Sequence, residues 1–237
     1  MQKGSVFLIP TYLSDHHEAS FLAPMVLDVI KNTDYFLVEN VRTARRFISS
    51  LKLGLDISTL EFEVLDKKST PAEISQYMAP VIAGKDVGVI SEAGLPGLAD
   101  PGQLAVTFAH RNGLRVIPLP GASSIQTAVT SSGFSGQQFT FHGYLPIQKA
   151  ERLKAIKNLE QQLSSTGYTQ VFMETPFRNM SLISDLVDTL SHHVNLNIAA
   201  DIFGQHEFIK TQTIAAWRKQ KKDLHKIPSV FSIGHFS

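Results

Sequence analysis

The sequence predicts a two-domain α/β protein whose N-terminal sheet is mostly parallel and whose C-terminal sheet is mixed. Three observations predict it. Through residues 1–119 short β-rich runs alternate with helical patterns, and strands separated by helices pair in parallel. Residues 133–138 (GFSGQQ) make a turn-rich break. After it the pattern changes and includes a basic helix, and a second α/β domain is expected over 120–237.

Each element follows from its residues. Residues 6–9 (VFLI) read as a buried strand that stops at Pro10 and opens into the polar loop 11–17. A helical stretch over 23–30 leads to a second strand at 35–38 (YFLV). Residues 42–53 form a helix with Arg45 and Arg46 beside the apolar Phe47, Ile48 and Leu51, and 61–65 is a strand. The helix over 71–82 opens as Thr70-Pro71-Ala72-Glu73, an N-cap followed by proline at the first helical position. A strand at 86–90 runs into the loop 91–102; a helix over 103–112 stops at Gly113. The strand 114–118 then leads through a short loop into a helix that ends near Ser132.

In the second half the expected order is a strand at 139–144, a helix over 149–163, a strand at 170–174 and a helix over 179–190. A strand at 197–202, a helix over 214–222 and a last strand at 229–233 complete it.

Composition narrows the function classes. The chain has 237 residues, 43% hydrophobic and 18% charged, which excludes a disordered or collagenous protein. Cysteine is absent, so disulfides, thiolate zinc sites and a cysteine nucleophile are excluded. The opening MQKGSVFLIPTYLSDHH lacks the apolar core of a signal peptide, and no stretch has the length of a membrane span, so a cytoplasmic protein is expected. With 22 basic against 21 acidic residues the net charge is +1, and any contact with nucleic acid must come from local patches.

Parallel α/β sheets gather their ligands at the carboxyl ends of the strands, so the loops after Ile9, Ile90 and Ile117 matter most. Residues 91–102 (SEAGLPGLADPG) make a stiff loop with exposed backbone groups, suited to the amino-acid and ribose ends of a nucleoside cofactor. The plain alternative is an ordinary strand-to-helix connection, which needs fewer such residues. Residues 118–125 (PLPGASSI) place small hydroxyls behind a Pro-Gly turn, where they cap a helix, bind a carboxylate, or both. Neither a GxGxxG fingerprint after the first strand nor a Walker A sequence is present.

Taken in order, SEAGLPGLADPG, RVIPLPGASS, FTFHGYLP and VFMETPFR resemble the tetrapyrrole (corrin/porphyrin) methylase family. Within it they are most similar to the branch that 2′-O-methylates a cytidine of small-subunit ribosomal RNA. The likeness runs from Val6 to about Arg178. It implies a tetrapyrrole-methylase-like fold, a homodimer, and S-adenosylmethionine in a cleft between the two domains. By position, Gly94, Leu95 and Leu98 on the first glycine-proline loop and Ser123 and Ser124 on the second would hold the cofactor, with Pro10 beside it where it borders the acceptor. Glu174, Ala200, Asp201, Pro228 and Ser229 would face it from the second domain.

The departures lie mostly on the acceptor side. Where the branch has TPIGNLGD after the first strand, this sequence has TYLSDHHE at 11–18, without the glycines. Its AEDTR element reads VENVR at 38–42, and an HEHN stretch is missing near Lys67. The ARELTK element becomes ADIFGQ at 200–205, and the C-terminal extension of longer members has no counterpart.

Methylation of a ribose hydroxyl requires positioning, a proton acceptor and charge stabilisation. Candidate bases are Glu39, Asp100 and His142, and candidate phosphate anchors are Arg42 and Arg45. Each acid or imidazole also has a purely structural reading as an ion-pair partner, a helix cap or a solvated strand end. Lys149, Arg152, Lys154 and Lys157 on one helix, with Arg178, form either an RNA-facing patch or a solvated face. Arg218, Lys219, Lys221 and Lys222 read as solvated surface, and the adjacent pairs His16-His17 and His192-His193 do not suit a metal. Methylation of a small molecule such as a tetrapyrrole, and a non-catalytic S-adenosylmethionine-binding paralogue, are the rival readings.

Overall fold

The computed structural model describes residues 2–14, 21–220 and 222–236, so the loop change at 15–18, with His16 and His17, and Lys221 lie outside the described residues. The chain divides into two compact units, 1–123 and 124–237.

In the first unit, β1 (Ser5–Ile9), β2 (Tyr35–Val38), β3 (Glu61–Val64), β4 (Val87–Ile90) and β5 (Arg115–Pro118) form one sheet in the order β3-β2-β4-β1-β5. Every pairing is parallel. Helices cover both faces, as parallel sheets require. Alternate side chains sort the core. Ile9, Phe36, Val38 and Ile90 pack with α1 (Pro24–Lys31) and α2 (Val41–Ser50) on one face. Val6, Tyr35, Leu37, Val87 and Val89 pack on the other. There they meet α3 (Pro71–Tyr77), α4 (Ala79–Ile82) and α5 (Gln103–Arg111).

The expected helix over 71–82 is two helices. Its start is as read, a capping box between Thr70 and Glu73. Pro80 has no N–H to donate to the carbonyl four residues back and its ring crowds that turn, so the helix is interrupted at Met78 and restarts at Ala79.

The second unit opens with α6 (Ser124–Ser132) and holds β6 (Phe139–Tyr144), β7 (Thr169–Glu174), β8 (Asn195–Ala200), β9 (Phe208–Thr213) and β10 (Ser229–Gly234) in the order β6-β7-β10-β8-β9. β6 and β7 are parallel, joined through α7 (Lys149–Thr166); the remaining pairs are antiparallel. With α8 (Asn179–Thr189) these elements enclose one core around Phe172, Leu186 and Phe231. Three expectations change here. Residues 208–213 form an edge strand, and the helix read over 214–222 shrinks to α9 (Ile214–Trp217). The strand read at 197–202 lies at 195–200, because Asp201 adopts a left-handed φ of 48° that ends it.

Candidate functional site

In the first unit the loops that follow β1, β4 and β5 interlock. The Thr11 amide donates to the Gly94 carbonyl at 2.9 Å. Gly94 is buried at φ 72°, and a Cβ there would stand 2.9 Å from Leu13 Cδ2 and 3.3 Å from the Ala122 carbonyl oxygen. A Cβ on Gly121 would lie 2.1 Å from Pro10 Cβ. The Pro10 ring therefore leaves Gly121 no room for a side chain, and at Gly94 one would have to take a left-handed φ and displace Leu13. Within the loop the Gly97 amide donates to the Pro101 carbonyl and the Leu98 amide to that of Leu95. Pro10, Gly94, Leu95, Leu98 and Ser123, picked from the sequence, thus share one loop cluster, while Ser124 begins α6 in the second unit.

Acids collect beside it. Glu39 follows β2, and its amide donates to the Ile90 carbonyl at the end of β4. Its carboxylate accepts from the Glu92 amide at 3.2 Å, and the Glu92 carboxylate accepts from the Thr43 hydroxyl at 3.2 Å. Asp100 is pushed up to about 6 by burial first and by the charge of Glu39 second, with Lys67 and the Ser91 hydroxyl pulling the other way. Burial also raises Glu39. Two of the candidate bases therefore share one field, and Asp100 titrates near neutrality, where a general base is most effective. Glu92 and Lys67 were not picked from the sequence. Glu92 lies inside the glycine-rich motif, but its partners become visible only once β2 and β4 are known to be neighbours.

This field has a pH signature. A carboxyl that gains proton affinity on folding weakens the fold as pH rises from its unfolded value, near 4, through its folded value. Asp100→Asn removes that cost. Its melting temperature should match the parent below about pH 4 and exceed it by about 2–4 °C at pH 7. Differential scanning calorimetry across that range checks this, and an advantage that is largest at low pH would reject the assignment.

His142 is not part of the acid group. It lies on β6 in the second unit, its Nε2 2.7 Å from Gln170 Oε1. The Gln170 amide nitrogen donates to the Tyr168 carbonyl, which leaves Oε1 to accept and makes His142 Nε2 the donor. This is a hydrogen bond within the sheet.

At one end of the second sheet another set of expected residues converges. Ser229 on β10 sits opposite Glu174 of β7 on one side and Ala200 of β8 on the other. The Asp201 amide donates to the Pro228 carbonyl at 2.9 Å. The Glu174 side chain is fully buried. Its Oε1 accepts from the Thr175 amide and the Arg178 guanidinium, whereas Oε2 has no hydrogen-bond partner among the described residues. A buried carboxylate oxygen left without a donor is costly, so a ligand donor would find strong purchase there.

The basic residues separate into two groups. Arg42 and Arg45 are exposed on α2, the latter with its guanidinium 5.3 Å above the Phe62 ring. Lys149, Lys154 and Lys157 are exposed on α7. Arg152 is not on that surface. It is buried, and its guanidinium donates to Asp185 at 2.7 Å, to Ser181 and to the Ile147 carbonyl, tying α7 to α8. Arg178, partly exposed, donates to Glu174 through Nε and Nη2. Arg218 is exposed but bonded to the Val187 carbonyl and His192.

Residues 21–203 match the family model of tetrapyrrole (corrin/porphyrin) methylases. The chain belongs to this family. It is a methyltransferase, and the family's methyl donor is S-adenosylmethionine. Among curated relatives, this methylase is 25% identical over 98% of its length to ribosomal RNA small subunit methyltransferase I of Buchnera aphidicola subsp. Acyrthosiphon pisum, covering 79% of that protein. With the protein of the same name from Thermotoga maritima it shares 27% identity over 97% of this chain and 98% of the other. The solved structures of methyltransferase CobJ and of uroporphyrin-III-C-methyltransferase from Thermus thermophilus have the same fold. Their TM-scores are 0.62 and 0.56 at 12% and 15% identity, each covering 98% of this chain and 94% of its own. The methylase has residues whose chemistry suits the donor, because the unpartnered Glu174 Oε2 can accept from its ammonium or ribose hydroxyls.

Proposed function

We propose that this methylase transfers the methyl group of S-adenosylmethionine to a ribose 2′-hydroxyl of small-subunit ribosomal RNA. The observation that carries the reading is the group of acids at one end of the first sheet, tied by a hydrogen bond to the arginine-bearing start of α2. Glu39 and Glu92 are bonded to each other, and Thr43, which bonds Glu92, lies on the first turn of α2 between Arg42 and Arg45. A proton acceptor beside phosphate-binding cations is what a ribose hydroxyl within a polyanion requires. The names of the relatives support the same acceptor.

S-adenosylmethionine supplies a methyl group on a sulfonium, whose thioether leaves without protonation. In this reading Pro10, Gly94, Leu95, Leu98, Ser123 and Ser124 hold the donor, together with Glu174, Ala200, Asp201, Pro228 and Ser229. Glu174 does so through its buried, unpartnered oxygen. Asp100, pushed up to about 6 by burial and by Glu39 and so still mostly ionised at pH 7, takes the hydroxyl proton. Arg42 and Arg45 anchor flanking phosphates and place the hydroxyl in line, which supplies much of the acceleration.

The test is tritiated methyl transfer to small ribosomal subunits purified from a strain that lacks this gene. Labelled RNA, reduced about 100-fold or more by Asp100→Asn, is the expected result, since general bases supply 10²–10⁴-fold. Unlabelled RNA rejects this acceptor, and absence of S-adenosylmethionine binding in calorimetry rejects the donor assignment as well.

A further inference from the structure

We propose that Phe177 is a stacking platform for an unpaired nucleotide of the substrate RNA, flanked by Lys226 and His225. The proposal rests on the RNA reading above. Phe177 occupies the short turn Pro176–Arg178 between β7 and α8, and at 68% exposed it is the most exposed large hydrophobic side chain among the described residues. Leaving a phenylalanine in water forfeits its burial, so a ring held outward on a firm support is suited to a partner.

The support is firm. The Lys226 amide donates to the Pro176 carbonyl at 3.0 Å, and the Arg178 amide to that of Thr175 at 2.9 Å. Arg178 is locked to the buried Glu174, and the next residue, Asn179, is fully buried and donates to the Leu224 and Ile227 carbonyls. Two chain segments therefore hold the turn. Lys226 adopts a left-handed φ of 63°, unfavourable for a residue with a side chain, and its ammonium stands 5.8 Å from the ring centroid. The His225 and Phe177 rings lie with centroids 6.3 Å apart at 78°, a T-shaped contact.

The chemistry of the rim selects the occupant. Protein interfaces are depleted in lysine, whereas an aromatic ring beside a cation is how single-stranded RNA is held, bases stacked and phosphates neutralised. Location agrees. The turn begins two residues after Glu174, and Lys226 lies just before Pro228-Ser229, so the ring borders the strand ends assigned to the donor. A nucleotide near the reacting one is the natural occupant.

Fluorescence anisotropy of the full chain with a short labelled RNA of mixed, non-pairing sequence tests this, beside the subunit methylation assay. Phe177→Ala should weaken binding about tenfold, within the range one base stack supplies, and Phe177→Trp should retain it. Lys226→Ala should lower the salt dependence by about one ion. S-adenosylmethionine affinity and melting temperature should stay at parental values in all three. If the parent binds RNA and Phe177→Ala binds equally well, the platform is overturned while the RNA reading stands. If the parent neither binds nor methylates RNA, that reading falls and takes the platform with it. Loss of an oligomer in light scattering by Phe177→Ala, with RNA affinity kept, overturns the platform by assigning the ring to a contact between copies.

Discussion

Arg152→Ala is expected to destabilise the second unit by about 3–5 kcal/mol, the cost of leaving a buried carboxylate without its partner. Asp185 is buried, and Arg152 gives it two contacts, at 2.7 Å from Nε and 2.6 Å from Nη2. The same guanidinium also satisfies the Ile147 carbonyl, which closes the loop into α7. Lys149, 3.7 Å from the other Asp185 oxygen but largely exposed, screens part of the orphaned charge and holds the loss towards the lower end. Urea unfolding followed by Trp217, the protein's one tryptophan and buried in this unit, reads the effect as a lower midpoint at an unchanged slope. The double variant Arg152→Met with Asp185→Leu should recover most of the loss, since apolar replacements of a buried pair are often neutral. Parental stability with weakened RNA binding would return Arg152 to the RNA surface.

Gly121→Ala and Gly94→Val should each weaken S-adenosylmethionine binding tens-fold or more while the sheet stays folded. At Gly121 the obstacle is the ring of Pro10, which is stiff and cannot swing aside as a flexible side chain does. At Gly94 a β-branched residue would have to adopt φ 72° and displace Leu13 as well. Overpacking of this kind costs about 1–3 kcal/mol and left-handed strain a similar amount, and each 1.4 kcal/mol is a factor of ten. Because both glycines lie in the interlocked loops and outside the strands, the strain is relieved most cheaply by moving the loops. Calorimetric titration measures the affinity, with Gly136→Ala as a control whose Cβ would meet only Val129 at an ordinary 3.6 Å. Unaltered affinity in a folded Gly121→Ala protein would remove the loop cluster from the donor site.

Local signals announced much of the fold. β2 is buried at all four positions, and a continuous apolar run is what a central parallel strand requires. β9 gave no such signal because residues 208–213 (FIKTQT) lie half-buried at a sheet edge, where polar side chains face solvent. Arg152 left a trace that its charge obscured. It stands at helical spacing from Ile156, Leu159 and Leu163, so it belongs to the apolar stripe of α7, while Lys154 and Lys157 fall outside that stripe and Lys149 shares its face at the exposed start of the helix.

By itself the sequence determined the alternation of strands and helices, the glycine and proline loops, and through their order the family, because each depends on neighbours along the chain. Only the tertiary structure decided which charges meet. Glu39 and Asp100 are separated by sixty-one positions, and they share a field because β2 and β4 are adjacent strands whose carboxyl ends open side by side. Arg152 and Lys149 carry the same charge three residues apart on one helix, yet packing against α8 buries the first and leaves the second in water. Strand order and helix packing are cooperative outcomes of burying whole faces, and no local pattern encodes which distant carboxylate a buried charge will face.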